Sequence, residues 1–482
     1  MSLRNARHPR GLYVLFFTEM WERFSYYGMR ALLVLYLVNG MEVSRESALG
    51  IYAAYTALVY LTPILGGYFA DRWLGQRVAV VIGGIVMAMG HFAMAFDGLL
   101  YYGLGLVVTG NGFFKPNVST MVGRLYEQDD TRRDGGYTIF YMGINLGAFL
   151  APLVCGTLGE KLGWHYGFAA AGVGMLIGLV VFLRGQHALG FSENGRAGAG
   201  LNRIEWLVVV AVSLISVLVV SFFVYTGPMI AAGWRTLDDP TRALLIVGVL
   251  GLILLPGKLR KSTAPNPLSW DDYKRILAIF VLGVFVVFFW MGFEQAGGTM
   301  NLFADQHTDR EILGWLMPAS YFQSLNPLMI LLLAPVFSIV FVWMDRTRLG
   351  MSAPVKMALG MIILGLGFVV LAIADERAAE FGQVSPLWLV GVYLLHTVGE
   401  LFLSPIGLSM VSRLAPVQLA SLLMGVWFTA VAIANYLAGS LERLLADSGT
   451  SLYWFLVSSS IGAGVALLLL TPLIKYLMGN RA

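Results

Sequence analysis

The chain of 482 residues is 58% hydrophobic and 12% charged, with a formal net charge of +4 and a mean hydropathy of +0.74. A soluble protein of this size carries roughly twice that share of charge, so these values exclude a water-soluble domain and indicate a polytopic helical membrane protein. Six histidines and the single Cys155 allow no intrachain disulfide and no cysteine metal site.

Met1 to Arg10 is short and basic, and the apolar run after it is too long and too charged for a cleavable signal, so the first helix is expected to stay. Apolar runs of about 20 residues predict six helices at 11–38, 47–70, 77–96, 98–124, 134–160 and 164–184. Two more follow at 203–226 and 241–257, and a last six at 273–303, 319–343, 354–374, 386–412, 419–445 and 451–478, which makes fourteen transmembrane helices. With a cytoplasmic N-terminus, 22 of the 32 Lys and Arg residues fall in inside segments, 7 fall outside, and Arg23, Arg30 and Lys115 lie within the membrane. Both termini are therefore expected in the cytoplasm.

The first helix contains Glu19-Met20-Trp21-Glu22-Arg23. Glu19 and Glu22 are three residues apart and Glu19 and Arg23 four apart, so all three share a face and can pair. Each buried charge costs roughly 2.5 to 3.5 kcal/mol on insertion scales, so a self-paired cluster of this kind reads as a proton or substrate site. Arg30 lies two turns further along the same face. Lys115 is deep in the fourth predicted helix, Glu294 in the ninth and Glu400 in the twelfth. The count inside the membrane is three cations against Glu19, Glu22, Glu294 and Glu400, so one proton neutralises the set. Glu400 is the candidate partner of Lys115, and Glu294 that of Arg30.

The two halves repeat. A shift of 272 carries Phe16-Phe17 onto Phe288-Phe289 and Glu22 onto Glu294, and Asp71-Arg72 matches Asp345-Arg346. Each half is expected to be a six-helix unit, at 1–185 and 270–482, with residues 186–269 forming a linker that holds two extra, lipid-facing helices. Parallel six-helix repeats around a midplane site are an alternating-access design.

Several motifs carry a family resemblance. Gly66-Gly67-Tyr68-Phe69-Ala70-Asp71-Arg72-Trp73-Leu74-Gly75-Gln76-Arg77 is similar to the cytoplasmic signature loop of the major facilitator superfamily. Together with Glu19-x-x-Glu22-Arg23, Phe113-Phe114-Lys115-Pro116-Asn117, the run Phe140 to Phe149, Phe293-Glu294-Gln295, Gln323-Ser324-Leu325-Asn326-Pro327 and Gly399-Glu400 through Ser404-Pro405, it resembles the proton-dependent oligopeptide transporter family, bacterial type, across both halves. The resemblance implies the major facilitator fold and a proton-coupled symporter that imports di- and tripeptides. In that role Glu19, Glu22, Arg23, Lys115 and Glu400 couple protons, and Arg30 with Glu294 forms a gate. Tyr26, Tyr27, Tyr60, Tyr141, Asn145, Trp290, Asn326, Ser404 and Trp427 join Arg23, Arg30, Lys115, Glu294 and Glu400 in lining the peptide site.

A peptide is a zwitterion of variable side chain, which suits an anion clamp, a cation clamp, amides and tolerant aromatic pockets. Animal members use a histidine in helix 2, and residues 47–70 contain none; His396, one turn before Glu400, is expected to be a packed neutral side chain rather than a proton relay. The expected partners are peptides, protons and a lipid bilayer, with no nucleic acid, no metal and no cofactor, and the chain is expected to act as a monomer in a plasma membrane, as in a bacterial inner membrane. A carrier of nitrate or another small solute, and a channel or receptor, are the alternatives. No nucleophile–base pair or phosphate loop suggests an enzyme.

Overall fold

The computed structural model describes residues 7–127, 130, 132–190, 203–236, 268–347, 350–416, 419–446 and 448–479. The first bundle holds α1 (Arg10–Leu35), α2 (Arg45–Phe69), α3 (Gln76–Ala93), α4 (Leu100–Arg124), α5 (Arg133–Ala151) and α6 (Trp164–Gly185). After it comes α7 (Arg203–Thr236). The second bundle is built from α8 (Trp270–Phe293) with α9 (Thr299–Gln306), α10 (Leu325–Asp345), α11 (Ala353–Phe381), α12 (Leu387–Leu414), α13 (Ala420–Leu445) and α14 (Leu452–Met478). The helix expected at 241–257 lies outside the described residues.

Among the described residues, eleven helical segments are long and apolar enough to cross a membrane. The helices α1 and α4 are not among them, although they are 26 and 25 residues long. They are the two that carry Glu19, Glu22, Arg23, Arg30 and Lys115, so the charges that mark the site also lower the membrane signal of their own helices. Both are held by protein instead of lipid: α1 packs on α5 and α6, and α4 on α2, α3 and α7.

Lipid tails offer helices no hydrophobic incentive to associate, so close contact depends on small residues. At the crossing of α2 and α4, Gly66 meets Gly112; a Cβ on Gly112 would lie 2.9 Å from the Thr62 Cβ and 2.8 Å from its carbonyl oxygen. This approach brings Tyr60 of α2 beside Lys115 of α4. The two bundles meet along α2 with α13 and along α5 with α10. Helix α7 packs on the outside of α2 and α4 and exposes Leu207, Leu214, Leu218 and Phe222.

Three details depart from the sequence expectation. The helix expected at 273–303 is broken: α8 ends at Phe293, a tight turn covers Glu294–Gly297, and α9 restarts at Thr299. Several other helices end in a widened turn, as where the Met41 amide donates to the Tyr36 carbonyl (2.9 Å) and Gly75 to Ala70 (2.9 Å). Between α9 and α10 lies a small hairpin, β1 (Glu311–Ile312) and β2 (Trp315–Leu316), with Leu313 and Gly314 both at positive φ in its two-residue turn.

Candidate functional site

The charged face of α1 forms a sealed cluster. Arg23 Nε donates to Glu19 Oε1 at 2.8 Å and lies 2.9 Å from Glu22 Oε2, so a single nitrogen sits between two carboxylates. The side chains of Glu19, Glu22 and Arg23 are all buried. Asn111 of α4 donates to the other oxygen of Glu22 at 3.0 Å. Asn111 precedes Lys115 by four residues and shares its helix face; that spacing was the available sign of its role.

Two turns along α1, Arg30 donates to Glu294 Oε2 at 2.6 Å and to the Tyr52 hydroxyl at 2.8 Å. This is the expected partnership of Arg30 with Glu294, and it joins the two bundles. The break in α8 explains its geometry. Glu294 sits at the first residue of the turn, and a Cβ on Gly297 would come within 2.8 Å of Arg30 Nε and clash with the Tyr52 hydroxyl. Only glycine admits the guanidinium here.

The expected pair of Lys115 with Glu400 is not formed. Lys115 Nζ stands over the Tyr60 ring, 4.8 Å from its centroid. The Glu400 carboxylate accepts a hydrogen bond from Asn326 Nδ2 at 2.9 Å, and the same amide reaches Thr397 at 3.1 Å. Among the described residues no carboxylate forms an ion pair with Lys115 and no cation with Glu400. Each has a local neighbour instead, the Tyr60 ring face for the ammonium and the Asn326 amide for the carboxylate.

Between the bundles lies a cavity of about 960 Å³, counting space open to solvent. Of the expected site residues, Tyr27, Arg30, Tyr60, Tyr141, Asn145, Trp290, Glu294, Asn326, Glu400 and Ser404 line it. Arg23, Tyr26, Lys115 and Trp427 are not on its wall. Tyr26 is buried and stacks on Tyr55, with centroids 6.4 Å apart. Trp427 is buried, packed over Gly407. Sequence reasoning did not select Gln323 and Tyr393, which also line the cavity. Gln323 stood in a quoted motif, and Tyr393 precedes Glu400 by two turns. The His396 ring is buried, tilted on Phe368 at 4.6 Å between centroids, and its Nε2 has no hydrogen-bond partner.

A second set of contacts joins the bundles at the end where α1 finishes. Arg45 of α2 pairs with Glu442 of α13 at 2.7 Å, and Glu46 pairs with Arg443, a reciprocal exchange between adjacent residues. Asn39 donates to Asp305 at 2.8 Å. The Glu160 carboxylate accepts the backbone amides of Ala319 (2.7 Å) and Ser320 (3.0 Å), which open the helical segment leading into α10. At the other end of α2, Asp71 and Arg72 are exposed, and Arg72 donates to Tyr68 of its own helix at 2.7 Å.

Two six-helix bundles facing across a cavity, with titratable groups buried at their junction, define a multi-pass membrane transporter of the major facilitator type. The model of a family described as "PTR2: POT family" matches residues 77–456, and the chain belongs to that family. It is similar to a peptide transporter, YePEPT, of Yersinia enterocolitica subsp. palearctica, at 38% identity covering 98% of this chain and 96% of the relative. It is similar also to a di-/tripeptide transporter of Lactococcus lactis subsp. cremoris, at 34% identity over 98% and 97% of the two chains. A crystal structure of a peptide transporter POT in complex with sulfate matches with a TM-score of 0.81 and 37% identity, covering 98% of this chain and 96% of the other.

Proposed function

We propose that the protein is a proton-coupled symporter that imports di- and tripeptides by alternating access. The observation that carries this reading is the uncompensated Glu400 carboxylate facing a cavity that also presents Arg30, with Lys115 behind Tyr60. A zwitterionic peptide offers its ammonium to Glu400, and its carboxylate to Lys115 or to Arg30 once that guanidinium leaves Glu294. The tyrosines, Trp290 and the amides of Asn145 and Asn326 accept variable side chains and a peptide backbone. The relatives named for peptides support the same substrate class.

In this proposal Glu19, Glu22, Arg23, Lys115 and Glu400 form the proton-coupling set, and Arg30 with Glu294 is the gate. Protonation within the α1 cluster weakens its hold on Arg23 and frees the guanidinium for the peptide carboxylate, which ties the two loads together. The closed pairs at the end of α1 and the exposed Asp71 and Arg72 at the other end support a conformation closed outside, with Arg30–Glu294 completing the outer seal. Residues 1–185 and 270–482 are the two moving units and 186–269 an accessory linker. Both termini face the cytoplasm, the membrane is a plasma membrane, the unit is a monomer, and the proton is the only coupling agent, without a cofactor or a catalytic step.

The test is uptake of a labelled dipeptide into proteoliposomes under an imposed pH gradient. The expected result is uphill accumulation in the wild type. In Glu22→Gln, proton-driven accumulation is lost while peptide exchange at zero gradient persists. Accumulation that survives in Glu22→Gln overturns the coupling assignment. Uptake that dipeptides do not compete with overturns the substrate class.

A further inference from the structure

We propose that the groove between the first turns of α8 and the last turns of α14 binds the headgroup of an anionic phospholipid. The groove has a volume of about 970 Å³, counting space open to solvent, and is lined by Lys274, Arg275 and Lys475 together with Asp271 and Tyr476. It is separate from the peptide cavity and uses none of its residues.

Three observations fit a lipid better than a free anion. The cations stand where two membrane helices begin and end, the level at which headgroup phosphates lie. Trp270, Tyr273 and Tyr476 are 73%, 54% and 64% exposed around the groove, amphipathic rings of the kind that gather at the membrane–water boundary. Below them, exposed apolar side chains continue along both helices, Leu277 and Val284 on α8 and Leu469 and Leu473 on α14, at the seven- and four-residue spacings of one helix face. A lipid places its phosphate among the cations and its acyl chains along these two stripes; inorganic phosphate gains nothing from the stripes.

The charges are available. Among the described residues no carboxylate pairs with the exposed Lys475. Lys274 Nζ lies 3.1 Å from Asp271, whose side chain is 75% exposed, and 5.0 Å from the centroid of the Tyr476 ring. Lys274 is partly buried, at 21% exposed, but its carboxylate partner is solvated and one turn away, so the pair is weak and yields to a phosphodiester. Arg275 is bound to Asp272 at 2.8 Å and serves as the groove's less mobile wall. Basic pockets between membrane helices are the physical form that recognition of anionic headgroups takes.

The proposal is tested by native mass spectrometry of the full chain, titrated in turn with a phosphatidylglycerol, a phosphatidylcholine of the same chains and inorganic phosphate. The expected result is preferential retention of phosphatidylglycerol by the wild type, about five-fold weaker in Lys475→Gln and about 25-fold weaker in the Lys274→Gln/Lys475→Gln double variant. Asp271→Asn, which releases Lys274, binds more tightly than the wild type, and Lys161→Gln, at the other end of the molecule, leaves binding unchanged. Equal binding of the two lipids by the wild type, or unchanged phosphatidylglycerol binding in the double variant, overturns the proposal. Inorganic phosphate binding as well as the lipid overturns it in favour of a simple anion site. The readout involves no transport, so it stands or falls apart from the peptide reading.

Discussion

The ion pairs in the middle of α1 and those joining the first residues of α2 to the last turn of α13 use the same side chains to opposite purposes. In the middle, the side chains of Arg23, Glu19 and Glu22 are 6%, 1% and 0% exposed, and those of Arg30 and Glu294 are 10% and 5% exposed. At the ends, Arg45 and Glu442 are 32% and 31% exposed. The central groups have no water to turn to, so losing one partner leaves a charge that must be neutralised or carried at high cost. The Arg45 and Glu442 side chains can be solvated, and so can Glu46 at 48% exposed although its partner Arg443 is 13% exposed, so these pairs are weaker than the central ones and bear on which bundle arrangement is favoured. A transporter needs both: expensive charges that respond to a proton or a peptide, and inexpensive ones that let the gate reopen.

This contrast breaks most visibly at Arg30. Replacing it with Ala leaves Glu294 buried without its cation, and the expected loss is about 3 to 5 kcal/mol of stability together with loss of transport; thermal unfolding of the purified protein measures the first part. A wild-type unfolding midpoint in that variant removes the distinction between the two regions. Gly297→Ala is expected to cost about 1 to 3 kcal/mol, because the new methyl group meets Arg30 and Tyr52 in a packed site, and the same unfolding measurement applies.

At the outer end the effects are smaller and conformational. Glu160→Ala leaves the Ala319 and Ser320 amides without their acceptor, an expected cost of about 1 kcal/mol by analogy with a lost helix cap. Distances between spin labels beside Arg45 on α2 and Glu442 on α13 are expected to lengthen as this end of the cavity opens. The weakest expected effect is the coupling of Arg45 with Glu442, about 0.2 to 1 kcal/mol in a double-mutant cycle and declining with added salt. A coupling there as large as the effect of Arg30→Ala contradicts the division drawn above.

Much of this was legible in the chain because its signals are local or arithmetic. The spacing of Glu19, Glu22 and Arg23 placed them on one helix face, and the few charges inside apolar segments left Glu294 as a candidate partner for Arg30. Apolar run lengths predicted the succession of helices found among the described residues, although α1 loses apolarity to its charges and α4 to Asn111, Lys115, Pro116 and Asn117. The failures are equally specific. The expected helix at 273–303 ran through Glu294-Gln295-Ala296-Gly297-Gly298, whose paired glycines were the available sign of the break between α8 and α9; what the sequence did not carry is that Arg30 and Tyr52 of the other bundle approach Gly297. Symmetry suggested Lys115 with Glu400, yet each found a nearer neighbour.

The sequence by itself determined the membrane class, the helix succession and the identity of the buried charges, since hydrophobicity and helical periodicity are properties of neighbouring residues. Tertiary structure alone decided which charges pair, which aromatic rings face the cavity, and that Trp427 and Tyr26 are packed away from its wall. Those outcomes depend on how closely two helices approach and on which bundle end is closed, distances that no single helix encodes.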